Sequence, residues 1–315
     1  MPKPFRFSVT ANQPRSKADW MAFAQRVEGL GFDSLSIPDH FGPRLAIAPA
    51  LVLAAHATGR LRVRSFVYDN DFRHPALLAQ EIATIDNLTD GRFDFGIGAG
   101  WLKSEYDAAG LRFDPGSVRV ERLFEALEII TRLLGGAALT YEGKHYQLRD
   151  LSAGFPPVQR PHPPIVIGGG GRRLLTLAAM RADVISVMPG SRPDGSGLED
   201  RDASLVAFKQ KIAWIKEAAG DRFDHLELNT LVQAVVITED AHGEARRMAP
   251  RWNASAEELL DSPLLLIGTI DEIGATLERR REELGISSTT VFEKDHEDLA
   301  RVIPRLRAVI TGASG

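Results

Sequence analysis

The chain has 315 residues, 44% of them hydrophobic and 25% charged, with 28 glycines and a net charge of −4. Those proportions exclude a disordered, fibrous or disulfide-stapled chain and leave room for one large α/β domain or two small ones. The absence of cysteine excludes thiolate nucleophiles, zinc–thiolate sites and Cys-ligated iron–sulfur clusters, and the acidic balance recruits neither nucleic acid nor acidic lipid. Met1 to Phe7 show no signal-peptide pattern, and no apolar run approaches the roughly 20 residues of a spanning helix, so a cytoplasmic protein without membrane contact is expected.

Along the chain, short β-branched or aromatic runs alternate with longer helical patterns, as in βα units around a parallel sheet. Phe5–Val9 predicts the first strand. Trp20, Phe23, Val27 and Leu30 share one helix face, and Gly29 and Gly31 close that helix before the second run, Asp33–Ile37. Leu61–Tyr68 predicts strand three. Its helix starts at His74-Pro75, where proline suits the first turn, and carries Leu78, Ile82, Ile85 and Leu88 on one face. After the Asp90-Gly91 turn come strand four, Phe93–Ile97, and a long helix marked by Val120, Leu123, Leu127, Ile130 and Leu134. A hairpin-like stretch, Leu139–Leu148, and a proline-rich approach then interrupt the alternation. We read an insertion at about 135–164 within a single domain spanning 1–315. The alternation resumes with Ile165–Ile167, a helix from about Arg172, Asp183–Met188, a helix over about 203–218, and Leu226–Ile237. Helical segments near 240–249, 254–261 and 269–284 precede a last strand, Thr289–Phe292, and a last helix over about 297–310. Eight strands in this order favour a closed (β/α)8 TIM barrel over a doubly wound sheet. Such a barrel needs about 250 residues, and the surplus falls at 135–164, at the loop Gly190–Asp202 and around 250–262, segments expected to frame the mouth and set substrate choice.

In this architecture the active site gathers at the C-terminal strand ends. Here they read Pro38-Asp39-His40-Phe41-Gly42, Asp69-Asn70-Asp71, Gly96-Ile97-Gly98-Ala99-Gly100-Trp101, and Gly168 to Gly171 followed by Arg172-Arg173. Four glycines directly before a helix leave backbone N–H groups free for an anion, and a cofactor phosphate is the natural occupant. The plainer alternative, a flexible turn, carries a large entropy cost with four glycines. The Gly96, Gly98, Gly100 alternation lacks dinucleotide-fold spacing and suits close backbone approach to a flat ring. His40 is either a satisfied structural histidine or an acid–base group whose ring the adjacent Asp39 could orient. A metal site lacks support, since His40 and His74 are the only strand-end histidines and no His-x-His pair occurs. Trp101 reads as pocket wall or rim packing, and Glu105 and Tyr106, on the loop or short helix after it, as surface residues.

Taken together, Ser36–Phe41, Phe72-Arg73-His74-Pro75 leading into Ala79-Gln80, Gly91-Arg92-Phe93 leading into Gly98–Trp101, and then Glu105-Tyr106 and Gly110 resemble the bacterial luciferase-like flavin monooxygenase superfamily. The chain looks most like its branch that uses the 5-deazaflavin coenzyme F420, and a composition of 8 lysines against 30 arginines agrees with the GC-rich bacteria where that coenzyme is common. The resemblance implies a barrel that binds a flavin-type ring at its C-terminal mouth. Ser65, Phe66, Val67 and Tyr68 would back the ring, with a non-proline cis peptide near Ser65-Phe66, and Gly98, Ala99, Gly100 and Trp101 would flank it. Gly168, Gly169, Gly170, Gly171 and Arg172 would hold the phosphate, Asp39 and His40 would stand near the reactive ring carbon, and Arg44, Trp101 and Tyr106 would face the substrate. Two departures argue against a sugar-phosphate substrate: Trp101 stands where that branch has a catalytic Glu, and Arg44 where it has a Trp. The implied function is hydride transfer between coenzyme F420 and a hydrophobic small molecule, in a homodimer, without a metal. Alternatives are an FMN-dependent monooxygenase fed by a separate reductase, a non-catalytic flavin-binding protein, and, last, a metal-dependent hydrolase.

Overall fold

The computed structural model describes residues 3–11, 13–152 and 154–311; Met1, Pro2, Asn12, Ala153 and 312–315, and with them both ends of the expected domain, lie outside the described residues. Eight parallel staves form the barrel: β1 (Arg6–Thr10), β2 (Ser34–Ile37), β3 (Arg62–Ser65), β4 (Phe93–Gly98), β5 (Ile165–Gly169), β6 (Val184–Val187), β7 (Glu227–Val232) and β8 (Ile286–Phe292). Neighbours pair in sequence order, β3 pairs with β4, and β8 returns to β1 with Arg6 opposite Ser288 and Thr10 opposite Phe292, which closes the ring. The expected closed barrel is borne out.

The helices are α1 (Lys17–Gly29), α2 (Ile47–His56), α3 (Pro75–Leu88), α4 (Lys103–Ala109), α5 (Gly116–Leu134), α6 (Arg172–Arg181), α7 (Leu205–Ala219), α8 (Ala241–Trp252), α9 (Ala256–Asp261), α10 (Ile270–Leu284) and α11 (His296–Thr311). Their starts follow local chemistry. The Ser16 side chain caps α1, Pro75 opens α3 behind a His74 cap, and Thr269 with Glu272 forms a capping box on α10. The buried face of α5 carries Leu123, Leu127, Ile130 and Leu134, the residues whose spacing predicted it. Within the barrel wall, small polar side chains satisfy one another: Ser186 donates to Asn229 at 2.9 Å, and the Asn229 amide donates to Ser288 and Thr290 at 3.1 and 2.9 Å. Each of these buried side chains thereby has a hydrogen-bond partner within the wall.

Three expectations need correction. The run 61–68 is not one strand: β3 stops at Ser65, the Phe66–Val67 peptide is cis, and Tyr68–Asp69 resumes as a two-residue strand beside Ile97 and Gly98. The cis bond thus falls one residue after the position the resemblance implied. The run 226–237 also divides, because Ala234–Ile237 leaves the barrel and pairs in parallel with Leu265–Gly268, a strand absent from the sequence reading. Helix α2 went unread as well, since its segment IAPALVLAAH is apolar around most of its circumference and shows no polar face. The insertion does form an antiparallel hairpin, Leu139–Glu142 with Gln147–Leu151.

The glycine alternation on β4 has a packing cause. A methyl group at Gly96 would overlap the Ser65 carbonyl, and one at Gly98 would stand 2.8 Å from Val67 Cγ2. Strand three bulges into the space those side chains would occupy, so β4 carries none there.

Candidate functional site

A cavity of about 790 Å³ opens at the C-terminal ends of the staves. That volume lies within the roughly 300–1,000 Å³ typical of cofactor and ligand pockets. Of the expected site residues, Asp39, His40, Arg44, Phe66, Val67, Tyr68, Gly98, Ala99, Gly100, Trp101, Gly168 to Gly171 and Arg172 line it. Ser65 and Tyr106 do not. Ser65 is fully buried behind the wall, where its hydroxyl donates to the Gly96 carbonyl at 2.9 Å and accepts the Gly96 N–H at 2.7 Å. Nor do the surplus segments behave alike: no described residue of 135–164 or 250–262 lines the cavity, whereas Gly190, Ser191 and Leu198 of the loop after β6 do. That loop is tied down through Asp202, which accepts the Gly190 N–H at 2.7 Å and pairs with buried Lys211 at 2.5 Å.

One corner is made for an anion. Helix α6 begins at Gly171 with no side-chain cap, so its first N–H groups are free toward the cavity, and nothing lies within 4 Å of where a Gly171 Cβ would stand. Gly170 is constrained instead, because a methyl there would overlap backbone atoms of Met188, Pro189 and Gly190. Helix α5 also starts without a side-chain cap, and its Gly116, Ser117 and Arg119 line the same cavity. Arg119 is 5% exposed and stacks on Phe113 at 3.8 Å, while its buried Nε and Nη1 have no hydrogen-bond partner. Burial pushes its guanidinium below the usual range, against the pull of Tyr106, Asp71 and Asp69. The free N–H groups at the start of α6, in a loop of four glycines that line the cavity, fit the phosphate of a flavin-type cofactor. Sequence reasoning passed over Arg119, although a readable signal existed: it stands four residues before Leu123, a lone charge on the apolar face of α5.

The other end is a network of side chains. Asp39 does not orient His40: its carboxylate accepts from the Arg73 guanidinium, at 3.2 Å for Nη2, and from the Asp69 N–H at 3.1 Å. The partner of His40 is Glu105, whose Oε2 lies 2.9 Å from Nδ1 while its Oε1 accepts the Phe41 N–H at 3.1 Å. The Trp101 ring meets His40 edge-on, with centroids 6.1 Å apart. Neither Glu105 nor Tyr106 is the surface residue expected, and Tyr106 does not face the substrate cavity. Successive helical residues point about 100° apart, so on α4 Glu105 turns to the cavity and Tyr106 to the interior. Tyr106 is fully buried and donates its hydroxyl to Asp69 at 2.9 and 3.0 Å. This contact also explains Gly100, since a methyl there would overlap the Tyr106 hydroxyl. Burial pushes the Asp69 carboxyl up to about 7, against the hydrogen bonds from the Asp71 N–H and the Tyr106 hydroxyl. The Tyr106 hydroxyl is itself pushed up, first by burial and then by Asp69. Among the described residues no three His, Asp or Glu side chains gather as a metal site requires, and no helix is long and apolar enough to cross a membrane.

A closed parallel barrel with a bulged third strand, paired glycines on the fourth and an uncapped helix start after the fifth places this cavity in a recognisable class of α/β barrel. The sequence profile of the luciferase-like monooxygenase family matches residues 3–256, and the chain belongs to that family. Over 200 residues it is 30% identical to the F420-dependent glucose-6-phosphate dehydrogenase of Microbacterium testaceum, a match covering 61% of this chain and 59% of that one. The chain therefore spans about three fifths of that relative's length. Among solved structures, an F420-dependent secondary alcohol dehydrogenase in complex with an F420–acetone adduct has a TM-score of 0.75 at 20% identity, covering 96% of this chain and 97% of that one. A riboflavin lyase with modified FMN and riboflavin has a TM-score of 0.78 at 14% identity, covering 97% and 92%. At such identities the likeness is one of fold, and the fold houses an F420 adduct in one neighbour and FMN in the other.

Proposed function

We propose that the protein is a coenzyme F420-dependent oxidoreductase that moves a hydride to or from a small, largely apolar substrate. The observation that carries this reading is the pairing, in one cavity, of an anion corner at the glycine-rich start of α6 with the His40–Glu105 pair. The curated relative at 30% identity, itself F420-dependent, supports the choice of cofactor. When bound, the deazaflavin supplies two-electron hydride chemistry. The chain's own groups do the rest. The N–H groups at Gly171 and the first turn of α6 would hold the phosphate, Val67 and Gly98 would lie against the ring, and Phe66, Trp101 and Leu231 would exclude water. His40 accepts a proton from a substrate hydroxyl at Nε2 when an alcohol is oxidised, and returns it when a carbonyl is reduced. Trp101 and Arg44, standing where the sugar-phosphate branch has Glu and Trp, make a sugar phosphate a poor fit.

A second reading keeps the fold and replaces the cofactor: an FMN-dependent monooxygenase supplied by a reductase, favoured by the family's name and by the FMN-bound neighbour. Spectral titration of the cofactor-free protein decides between them. Saturable binding of coenzyme F420 with weaker or no binding of FMN is expected, and the reverse result would replace the first reading with the second. The homodimer and the cytoplasmic setting belong to the same proposal, and light scattering of the purified protein reads the first of them.

A further inference from the structure

Every carboxylate around His40 is committed, and only one is committed to His40. Asp39, its neighbour in sequence, is held by Arg73 and the Asp69 N–H; Asp69 is held by Tyr106; and Arg44 stands on the same loop at the rim. Glu105 reaches across from α4 and bridges two donors of the β2 loop, the Phe41 N–H at 3.1 Å and His40 Nδ1 at 2.9 Å. Helix α4 is fixed in turn: Tyr106 on its inner face is tied to Asp69, and the Lys103 N–H donates to the Gly195 carbonyl at 3.1 Å. The Glu105 side chain is 15% exposed and that of His40 23%.

We infer that Glu105 is the positioning residue of His40, fixing the neutral ring in the tautomer with its proton on Nδ1 and presenting Nε2 to the cavity as an acceptor. A carboxylate accepts and does not donate, so the nitrogen facing it carries the hydrogen. Nε2, which makes no hydrogen bond among the described residues, keeps its lone pair. The inference deepens the proposed function, because only this tautomer can take a proton from a substrate hydroxyl.

Glu105→Gln tests the assignment without changing the shape of the site. The Phe41 N–H needs an acceptor, and the only one the amide offers is its oxygen. The amide NH2 is then left facing Nδ1, which must become an acceptor, so the ring proton moves to Nε2 and blocks proton uptake. Nitrogen-15 NMR of histidine-labelled, cofactor-free protein at alkaline pH, where imidazoles are neutral, reads the tautomer directly. The wild type is expected to show Nδ1–H, Glu105→Gln to show Nε2–H, and Glu105→Ala a mixture. In turnover, Glu105→Gln is expected to lower kcat about 100-fold, in line with the loss of an acid–base group or its correct tautomer, with KM within about threefold. Glu105→Ala, which imposes neither tautomer, loses less. A wild-type ring with its proton on Nε2, or the same Nδ1–H tautomer in wild type and Glu105→Gln, overturns the inference. Should Glu105→Gln fail to fold, a pure Nδ1–H ring in Glu105→Ala overturns it equally. The NMR result stands whether or not a substrate is found, so failure of the proposed hydride transfer and failure of this inference are distinguishable.

Discussion

At the β2–β4 end of the mouth each carboxylate has its donor: Asp39 has Arg73, Glu105 has Phe41 and His40, and Asp69 has Tyr106. At the β5 end the material is backbone, with four glycines and the start of α6, which lacks a side-chain cap. The geometry of the first end is held by contacts within the protein before anything binds, although Asp71 Oδ1 and two Arg119 nitrogens there have no hydrogen-bond partner. The second is complete only with an anion present, and its unsatisfied donors cost stability until then. Side chains that satisfy one another can hold a proton at a set place, whereas unpaired donors store affinity for a ligand.

The contrast can be pressed hardest through pH. Asp69 is raised from its ordinary 3.8 to about 7, so between those values the folded protein holds a proton that the unfolded chain has released. Stability therefore falls as pH rises through that window, by about 1 kcal/mol per pH unit, and levels off above it. Asp69→Asn should flatten this slope in chemical denaturation followed from pH 4 to 8, and an unchanged slope would place the proton elsewhere. Next in size is Gly170→Ala, which drives a methyl into the backbone of Met188–Gly190 and should cost about 3 kcal/mol. Arg73→Ala leaves the largely buried Asp39 without its cation and should cost about 2 kcal/mol while leaving the anion corner intact, as read by binding of inorganic phosphate. Smallest of all is Gly171→Ala. Its φ of −76° and empty surroundings predict a change within about 0.5 kcal/mol, so a large loss there would show that the corner needs more than free N–H groups.

The barrel was legible because its signals are local and repeated. Val120, Leu123, Leu127, Ile130 and Leu134 mark α5 on their own, and the glycines before Arg172 mark the anion corner. What escaped depends on contacts made far along the chain. Nothing around Glu105 announces a partner 65 positions earlier, and the proximity of Asp39 to His40 in sequence pointed to the wrong carboxylate. The β7 run looked like one strand because Leu226–Ile237 is continuously β-forming; only its pairing with Leu265–Gly268 shows where the chain leaves the barrel. Gly96 and Gly98 were seen, but their cause, the displaced backbone of strand three, is invisible to a reading that treats each strand separately.

That last relation reaches into how such barrels can be recombined. The break after Ser65 and the bare positions Gly96 and Gly98 are two halves of one shape, encoded 31 and more residues apart. A chimera that joined this third stave to a fourth from a regular barrel, with ordinary side chains at those positions, would collide at the Ser65 carbonyl and at Val67. The two staves should therefore be exchanged as one block.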